Sequence, residues 1–377
     1  MEVISIMKFA CSTKPLIDAL NLGIVNSNIS KFHQKSCLAQ IKADRQVLQI
    51  NLEAAYVFTE IMLKGSGDSD EPATVFVDCA LLKSLISTFD GVAVTTFEFT
   101  DSGLVLHSGS SKFNLPKMVD DDAGLELTSP GLPPEGATSI DITKDEWKFI
   151  KDYQMYAVAM SFIHPVYTRV YVGEGGDTIV GDFDNSLFTY SKKSKLGSTC
   201  LLSDTIINLF NSLPEGAKLT NLGRSYLISV QTDGYEYASE FTPVYESDEG
   251  VGEYNAEVII EMMNHGEDAI QLNLAAVNKF MNQAALLSTS TEDTITLTVK
   301  ANEVALVDKN VDCKIPLAKA TNCEFTIDFK TSLLKSVISN FDEEEINICP
   351  LSVEGEISGV VFWTKNMTTV LGGVDEQ

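Results

Sequence analysis

Histidine and tryptophan are scarce in this chain of 377 residues, at four and two respectively. Seven cysteines (Cys11, Cys37, Cys79, Cys200, Cys313, Cys323 and Cys349) are scattered, odd in number and never spaced CxxC. That pattern argues for reduced, mostly buried thiols, against a disulfide framework and against a zinc site, so no metal and no cofactor is expected. Long apolar runs are missing too. None approaches the roughly 18 to 20 residues that span a bilayer, and the opening MEVISIMKF lacks a basic stretch followed by an apolar core. The expectation is a cytoplasmic protein with no membrane partner. Basic charge is also in short supply, with 27 Lys and Arg against 53 Asp and Glu and a net charge of −26. A surface of that sign does not hold nucleic acid by phosphate neutralisation alone.

What the chain does have is internal repetition. Residues 81–90 read LLKSLISTFD and residues 333–342 read LLKSVISNFD, identical at eight of ten positions. A third version, LLSDTIINLFNSLPEG at 201–216, lies between them. Leu82, Leu85, Ile86 and Phe89 correspond to Ile206, Leu209, Phe210 and Leu213, and then to Leu334, Val337, Ile338 and Phe341. Each set has the i, i+3, i+4, i+7 spacing of an amphipathic helix. Asp78, Ser203 or Asp204, and Asp328 precede these helices as N-cap candidates.

A second triplet has the same period. MKFACSTKPLIDAL (7–20), TSIDITKDEWKFI (138–150) and DAIQLNLAAVNKFM (268–281) each read as an alternating strand running into a helix. Ser12, Thr143 and Asn273 stand at the change of pattern, all residue types that accept a hydrogen bond from an orphan helix N–H. Alternating strand segments fill the space between and after the two helices of each copy. The chain therefore reads as three α+β repeats, bounded at 1–130, 136–250 and 255–377. Linkers fall at 124–137 and around 244–255, where Gly, Pro and acids concentrate.

This organisation resembles the bacterial-type β sliding clamp, the processivity subunit of replicative DNA polymerases in bacteria and bacteriophages. The resemblance covers the whole chain and is carried by the MKF that opens at Met7, the second helix of each repeat and GLVLHSGSSKFNLPKM (103–118). It implies three tandem clamp domains forming half of a ring, two helices of each domain lining the inside and antiparallel sheets outside. It also implies a non-enzymatic role: a homodimer encircles duplex DNA without reading its sequence and tethers the polymerase after a clamp loader has placed it. The helices carry Lys14, Lys83, Lys144, Lys148, Lys151, Lys279, Lys330 and Lys335, which would face DNA; with nine acids they are near neutral while the rest of the chain holds the negative charge. The family's partner-peptide pocket maps to Pro165, Asp182, Leu187, Pro243, Val370 and Leu371. Its dimer interface maps to Phe113 and Leu115 in the first repeat and to Leu286 and Leu287 in the third.

Two other readings stand beside it. TIVGDFDNSLF (178–188) resembles the first motif of haloacid-dehalogenase-type phosphatases, in which Asp182 would attack phosphorus and Asp184 serve as acid/base with Mg2+. The equivalent strands of the other repeats lack both acids, and the segment also reads as strand, turn over 182–185, strand. A scaffold of clamp-like domains that closes no ring is the other.

Overall fold

The computed structural model describes residues 5–22, 38–54, 57–91, 93–119, 124–142, 170–173, 175–182, 187–192, 196, 200–202, 204–245, 256–263, 269–287 and 293–374. The first repeat runs β1 (Ser5–Ser12), α1 (Thr13–Asn21), β2 (Leu38–Ala43), β3 (Val47–Ala54), β4 (Val57–Gly67), β5 (Ala73–Asp78), α2 (Cys79–Ile86), β6 (Val94–Thr100), β7 (Gly103–Ser108) and β8 (Ser111–Pro116). In the second are β9 (Ser139–Asp141), β10 (Val170–Val172), β11 (Asp177–Asp182), β12 (Leu187–Lys192), β13 (Cys200–Leu202), α3 (Asp204–Ser212), β14 (Lys218–Asn221), β15 (Tyr226–Gln231) and β16 (Tyr235–Phe241). Two short elements, β17 (Val244–Tyr245) and α4 (Ala256–Met262), precede the third. It comprises β18 (Ile270–Asn273), α5 (Leu274–Leu287), β19 (Thr294–Lys300), β20 (Glu303–Val307), β21 (Asp312–Pro316), β22 (Phe325–Lys330), α6 (Thr331–Ser339), β23 (Glu345–Val353), β24 (Glu356–Trp363) and β25 (Thr368–Gly372). First and third repeats thus share one string of elements. The helix expected over 143–150 lies outside the described residues.

Pairing repeats as faithfully as order. In each copy the four middle strands form a sheet in which the fourth joins the first: β5-β2-β3-β4, β13-β10-β11-β12 and β22-β19-β20-β21. The opening strand joins the last three in a second sheet: β1-β6-β7-β8, β9-β14-β15-β16 and β18-β23-β24-β25. Every described pairing is antiparallel.

Helical periodicity decides what lies beneath the sheets. Leu82, Ile86 and Phe89, then Ile206, Leu209, Phe210 and Leu213, then Leu334, Val337, Ile338 and Phe341 are all buried, and of the twelve expected positions only Leu85 is partly exposed. Two expected caps hold: Asp78 accepts from the Leu81 N–H at 2.7 Å and Asn273 Oδ1 from the Ala276 N–H at 2.9 Å. Ser12 occupies the cap position of α1 without a side-chain bond. Asp328 caps nothing. It lies within β22 and accepts from the Thr296 hydroxyl, while Lys330 precedes α6.

The chain clusters into two compact units, 1–147 with 205–243 and 148–204 with 244–377. The middle repeat, read from the sequence as 136–250, contributes strands to both units. Its β9-β14-β15-β16 sheet continues the first repeat's middle sheet through β4 and β16; because β1 also pairs with β4, the first repeat's two sheets are joined and the whole has twelve strands. Its other sheet, with β17 added on β13, continues the third repeat's through β12 and β25, giving nine. A buried hydroxyl pair marks each seam: Thr59 Oγ1 lies 2.9 Å from Ser239 Oγ, and Thr189 Oγ1 3.2 Å from Thr369 Oγ1.

Burial makes these hydroxyls sensitive to the loss of a partner. Thr59→Val or Ser239→Ala removes the other hydroxyl's partner across the seam and should cost about 1–3 kcal/mol, while the double substitution should cost less than the sum of the two. Urea denaturation of the three variants checks this, and strict additivity would mean that the pair contributes no coupling.

Candidate functional site

The lysines expected to face DNA fall into three groups. Lys14 on α1 and Lys279 on α5 are exposed. Lys83 and Lys335 are half-buried on α2 and α6, and desolvation holds the Lys83 ammonium below its ordinary pKa, opposed by a weaker electrostatic contribution from Cys79. Lys330 is half-buried at the end of β22, ahead of its helix. Lys144, Lys148 and Lys151 lie outside the described residues.

The four residues expected at a subunit boundary divide by exposure. Leu286 and Leu287, at the C-terminal end of α5, are 85% and 49% exposed. Phe113 and Leu115 share one face of β8 by the two-residue period, and that face turns inward: Leu115 is buried and Phe113 stacks on Phe89 with ring centroids 5.4 Å apart. What β8 leaves outward is backbone. Among the described residues it is hydrogen-bonded on one side, to β7, and β21 likewise to β20.

Of the residues expected at a peptide pocket, five are described. Pro165 lies outside the described residues, Asp182 ends β11, and Pro243 is buried in the first unit. Leu187 and Leu371 are cross-strand partners on β12 and β25, and Phe188 and Val370 are the next pair. All four are buried, but alternation sends the two pairs to opposite faces. Phe188 and Val370 belong to an apolar face that also holds Ile179, Leu201, Cys349, Val361 and Trp363. Gly181 makes room there, since a Cβ on it would sit 2.4 Å from the Phe188 ring. Tyr190 borders the face and donates to Asp177 Oδ1 at 2.6 Å; desolvation, then that bond, push its phenol pKa up.

A helix covers this face. α4 packs Ile259 and, just beyond its end, Met263 onto it, with Ala256 and Ile260 at the margin. The sequence reading, which placed a linker over 244–255, did not assign this helix. Its signal was the apolar spacing of Ala256, Ile259, Ile260 and Met263 amid acids.

The phosphatase reading loses its frame. Asp182 ends the first strand of an antiparallel hairpin, whereas that chemistry needs the carboxyl end of a parallel strand in a doubly wound sheet. Asp184 lies outside the described residues, and among those described no cluster of His, Cys, Asp and Glu could hold a metal ion. No helix among them is long and apolar enough to cross a membrane.

Because Leu187 is fully buried, truncating it probes packing before it probes binding. Leu187→Ala should destabilise the second unit by about 2–5 kcal/mol. A shift in the urea midpoint worth less than about 1 kcal/mol would mean that the site collapses around the smaller side chain.

No protein-family profile and no curated protein matches the chain in sequence. Solved structures do match its fold. A putative DNA polymerase III beta subunit from Eubacterium rectale superposes with a TM-score of 0.76 at 12% identity, covering 98% of this chain and all of that one. The Thermotoga maritima DNA polymerase III beta subunit gives 0.73 at 13%, and the Helicobacter pylori beta clamp bound to a DNA ligase peptide 0.70 at 13%, with the same coverage. Threefold repetition, two four-stranded sheets per repeat and two sheets continued across repeat boundaries are thus found in a chain whose fold is that of the bacterial DNA polymerase III beta sliding clamps.

Proposed function

We propose that the protein is a DNA sliding clamp: two copies close head to tail into a ring around duplex DNA and tether a replicative polymerase after a loader has opened the ring. The observation that carries this reading is the pair of open edges. Within the chain, the third strand of a middle sheet joins the last strand of the next repeat twice, β4 to β16 and β12 to β25. The same rule applied once more leaves β21 of the third repeat and β8 of the first without a mate among the described residues. Chain connectivity cannot supply that partner, but a second copy can, and a twofold assembly satisfies both edges of both copies.

In this reading the repeats 1–130, 136–250 and 255–377, contributed by each of two copies, make the six domains of the ring. Retention on DNA is topological, which fits a chain of net charge −26 that could not rely on phosphate neutralisation. Lys14 and Lys279 face the duplex, with Lys83, Lys330, Lys335, Lys144, Lys148 and Lys151 as further candidates on the inner helices. Leu286 and Leu287, exposed on α5, are the side chains offered to the boundary beside the β21 edge. Phe113 and Leu115 act from behind, holding β8 flat through packing on its inner face. Partners are duplex DNA, the polymerase, the loader and a second copy, in the nucleoid or a host-cell cytoplasm. No catalytic step is assigned to the chain.

Two measurements decide the matter. Protein trapped on closed circular DNA should be released when the circle is cut once, whereas a conventional binder, or a scaffold that forms no ring, would show no dependence on the cut. Light scattering should give twice the 41.1 kDa chain mass. Leu286→Ala with Leu287→Ala should convert the protein to a folded monomer, because burying each such side chain is worth roughly 1.5–3 kcal/mol and twofold symmetry repeats the loss at the second boundary. A double variant that remains dimeric at low micromolar concentration places the boundary elsewhere.

A further inference from the structure

The opening strands of the first and third repeats occupy the same place in chain order but have different neighbours. Phe9 and Cys11 of β1 correspond to Ile270 and Leu272 of β18, each pair just ahead of its helix. β1 is paired on both edges. One edge takes β6, and the other takes the far end of β4, with Phe9 opposite Gly67, Ala10 opposite Ser66 and Cys11 opposite Gly65. So close an approach needs glycine: a Cβ on Gly65 would sit 2.5 Å from the Phe9 ring, and one on Gly67 2.5 Å from Met7 Cε. In the third repeat the equivalent of β4 is β21, and Leu317 stands where Gly65 does, its N–H donating to the Asn302 carbonyl as that of Gly65 donates to Gln46. The chain then turns aside and is tied down, Thr321 N–H to the Ala301 carbonyl and Cys323 N–H to the Thr321 hydroxyl. β18 therefore pairs with β23 alone among the described residues. Beside its free edge runs a groove of about 400 Å3, walled by Ala269, Ile270 and Gln271 on one side and by residues 318–322 on the other.

We propose that this groove takes an extended segment of a partner protein, which adds to β18 as a further antiparallel strand in the place that residues 65–67 of β4 hold beside β1. A free strand edge is a template of backbone donors and acceptors, and adding a strand to it is a general mode of peptide recognition. Which groups face the groove follows from the first repeat. Lys8 N–H donates to Asp68 Oδ1 at 2.7 Å and the Lys8 carbonyl accepts from Asp68 N–H, so both of its backbone groups point towards β4. Ala269 corresponds to Lys8, and Gln271, two residues further, turns its N–H and carbonyl to the same side by the alternation of an antiparallel ladder. The first repeat also gives the chemistry of the occupant: glycine at two positions separated by one residue, where the new strand passes the side chains of β18. Charge adds little. No carboxylate is among the lining residues and Lys319 is their one ammonium, so backbone pairing and small side chains carry the selection. None of this draws on the clamp reading.

The test uses the full chain and a fluorescein-labelled peptide copying residues 61–68, IMLKGSGD. Fluorescence anisotropy should show saturable binding, and deuterium exchange at the Gln271 amide should slow when the peptide is bound. Gln271→Pro removes the N–H that faces the groove and leaves the ladder to β23 in place, as proline on an edge strand can. It should weaken binding roughly tenfold, and so should valine at both glycines of the peptide. Ala320→Trp, at an exposed position on the opposite wall, should weaken binding by filling the groove, and it decides the matter if Gln271→Pro loses its native circular dichroism. Absence of saturable binding, an affinity that Ala320→Trp leaves unchanged, or protection that arises on β8 or β21 in place of β18 would overturn the proposal. A fall in the mass given by light scattering when peptide is added would make the occupant a second copy of this chain, and would overturn it too.

Discussion

An unpaired strand edge presents a row of backbone donors and acceptors, and burying them unsatisfied costs far more than any side-chain choice can recover. This chain is organised around that constraint. Each repeat makes two four-stranded sheets, hence four edges, and no repeat covers all of its own. The solution is to continue a sheet of one repeat into the next, so that seven consecutive residue pairs run across the first seam and four across the second. Two compact units result from three repeats because the backbone hydrogen bonds at these seams outweigh the sequence boundaries. A hydroxyl pair sits at the same relative place in each seam, where the face is too deep for water and the opposed side chains must satisfy one another.

Since every described pairing is antiparallel, each sheet can have one face against the helices and the other elsewhere, and the alternation of side chains decides what each face becomes. At the first seam the second face is given Glu60, Glu236 and Glu240, which need water or a backbone donor. At the second it is given Phe188, Val370 and Val361, which need cover. One architecture therefore supports two unlike surfaces. What distinguishes them is a handful of side chains at equivalent positions, with no change of fold.

Much of this was legible in the sequence because it is periodic. Eleven of the twelve positions in the repeated second helix are buried where the i, i+3, i+4, i+7 spacing put them, and Asp78 and Asn273 cap as their chemistry predicts. The sharing of the middle repeat was not legible, since a strand's sequence specifies which face is apolar and leaves open which neighbour completes its edge. Asp328 looked like a cap because it stands two residues before one; strand β22 continues past it, and its carboxylate serves Thr296 instead. Leu115 and Leu187, which the resemblance offered for an interface and a pocket, are buried within the chain itself, as period-two alternation along their strands allows. α4 was passed over because its apolar pattern is only two turns long and lies in an acidic stretch rich in glycine.

The low identity to solved clamps, 10–16% over 98% of the chain, follows from what such a fold asks of its residues. A catalytic site fixes particular atoms at particular distances, so its residues survive divergence and can be read as a motif. A sheet seam asks only for backbone, and a helix face only for apolar volume at the right period, which many sequences meet equally well. Matches of residue type are then lost while the spacing that generates them persists. The same argument explains why a single stretch such as TIVGDFDNSLF can imitate an enzyme motif by chance: outside the parallel strand that would orient it, Asp182 is simply the last residue of an antiparallel strand. The informative unit here is the interval between copies, because a threefold recurrence of strand, helix and cap is improbable in unrelated segments, and it is this interval that the strand pairings convert into a repeated pair of sheets.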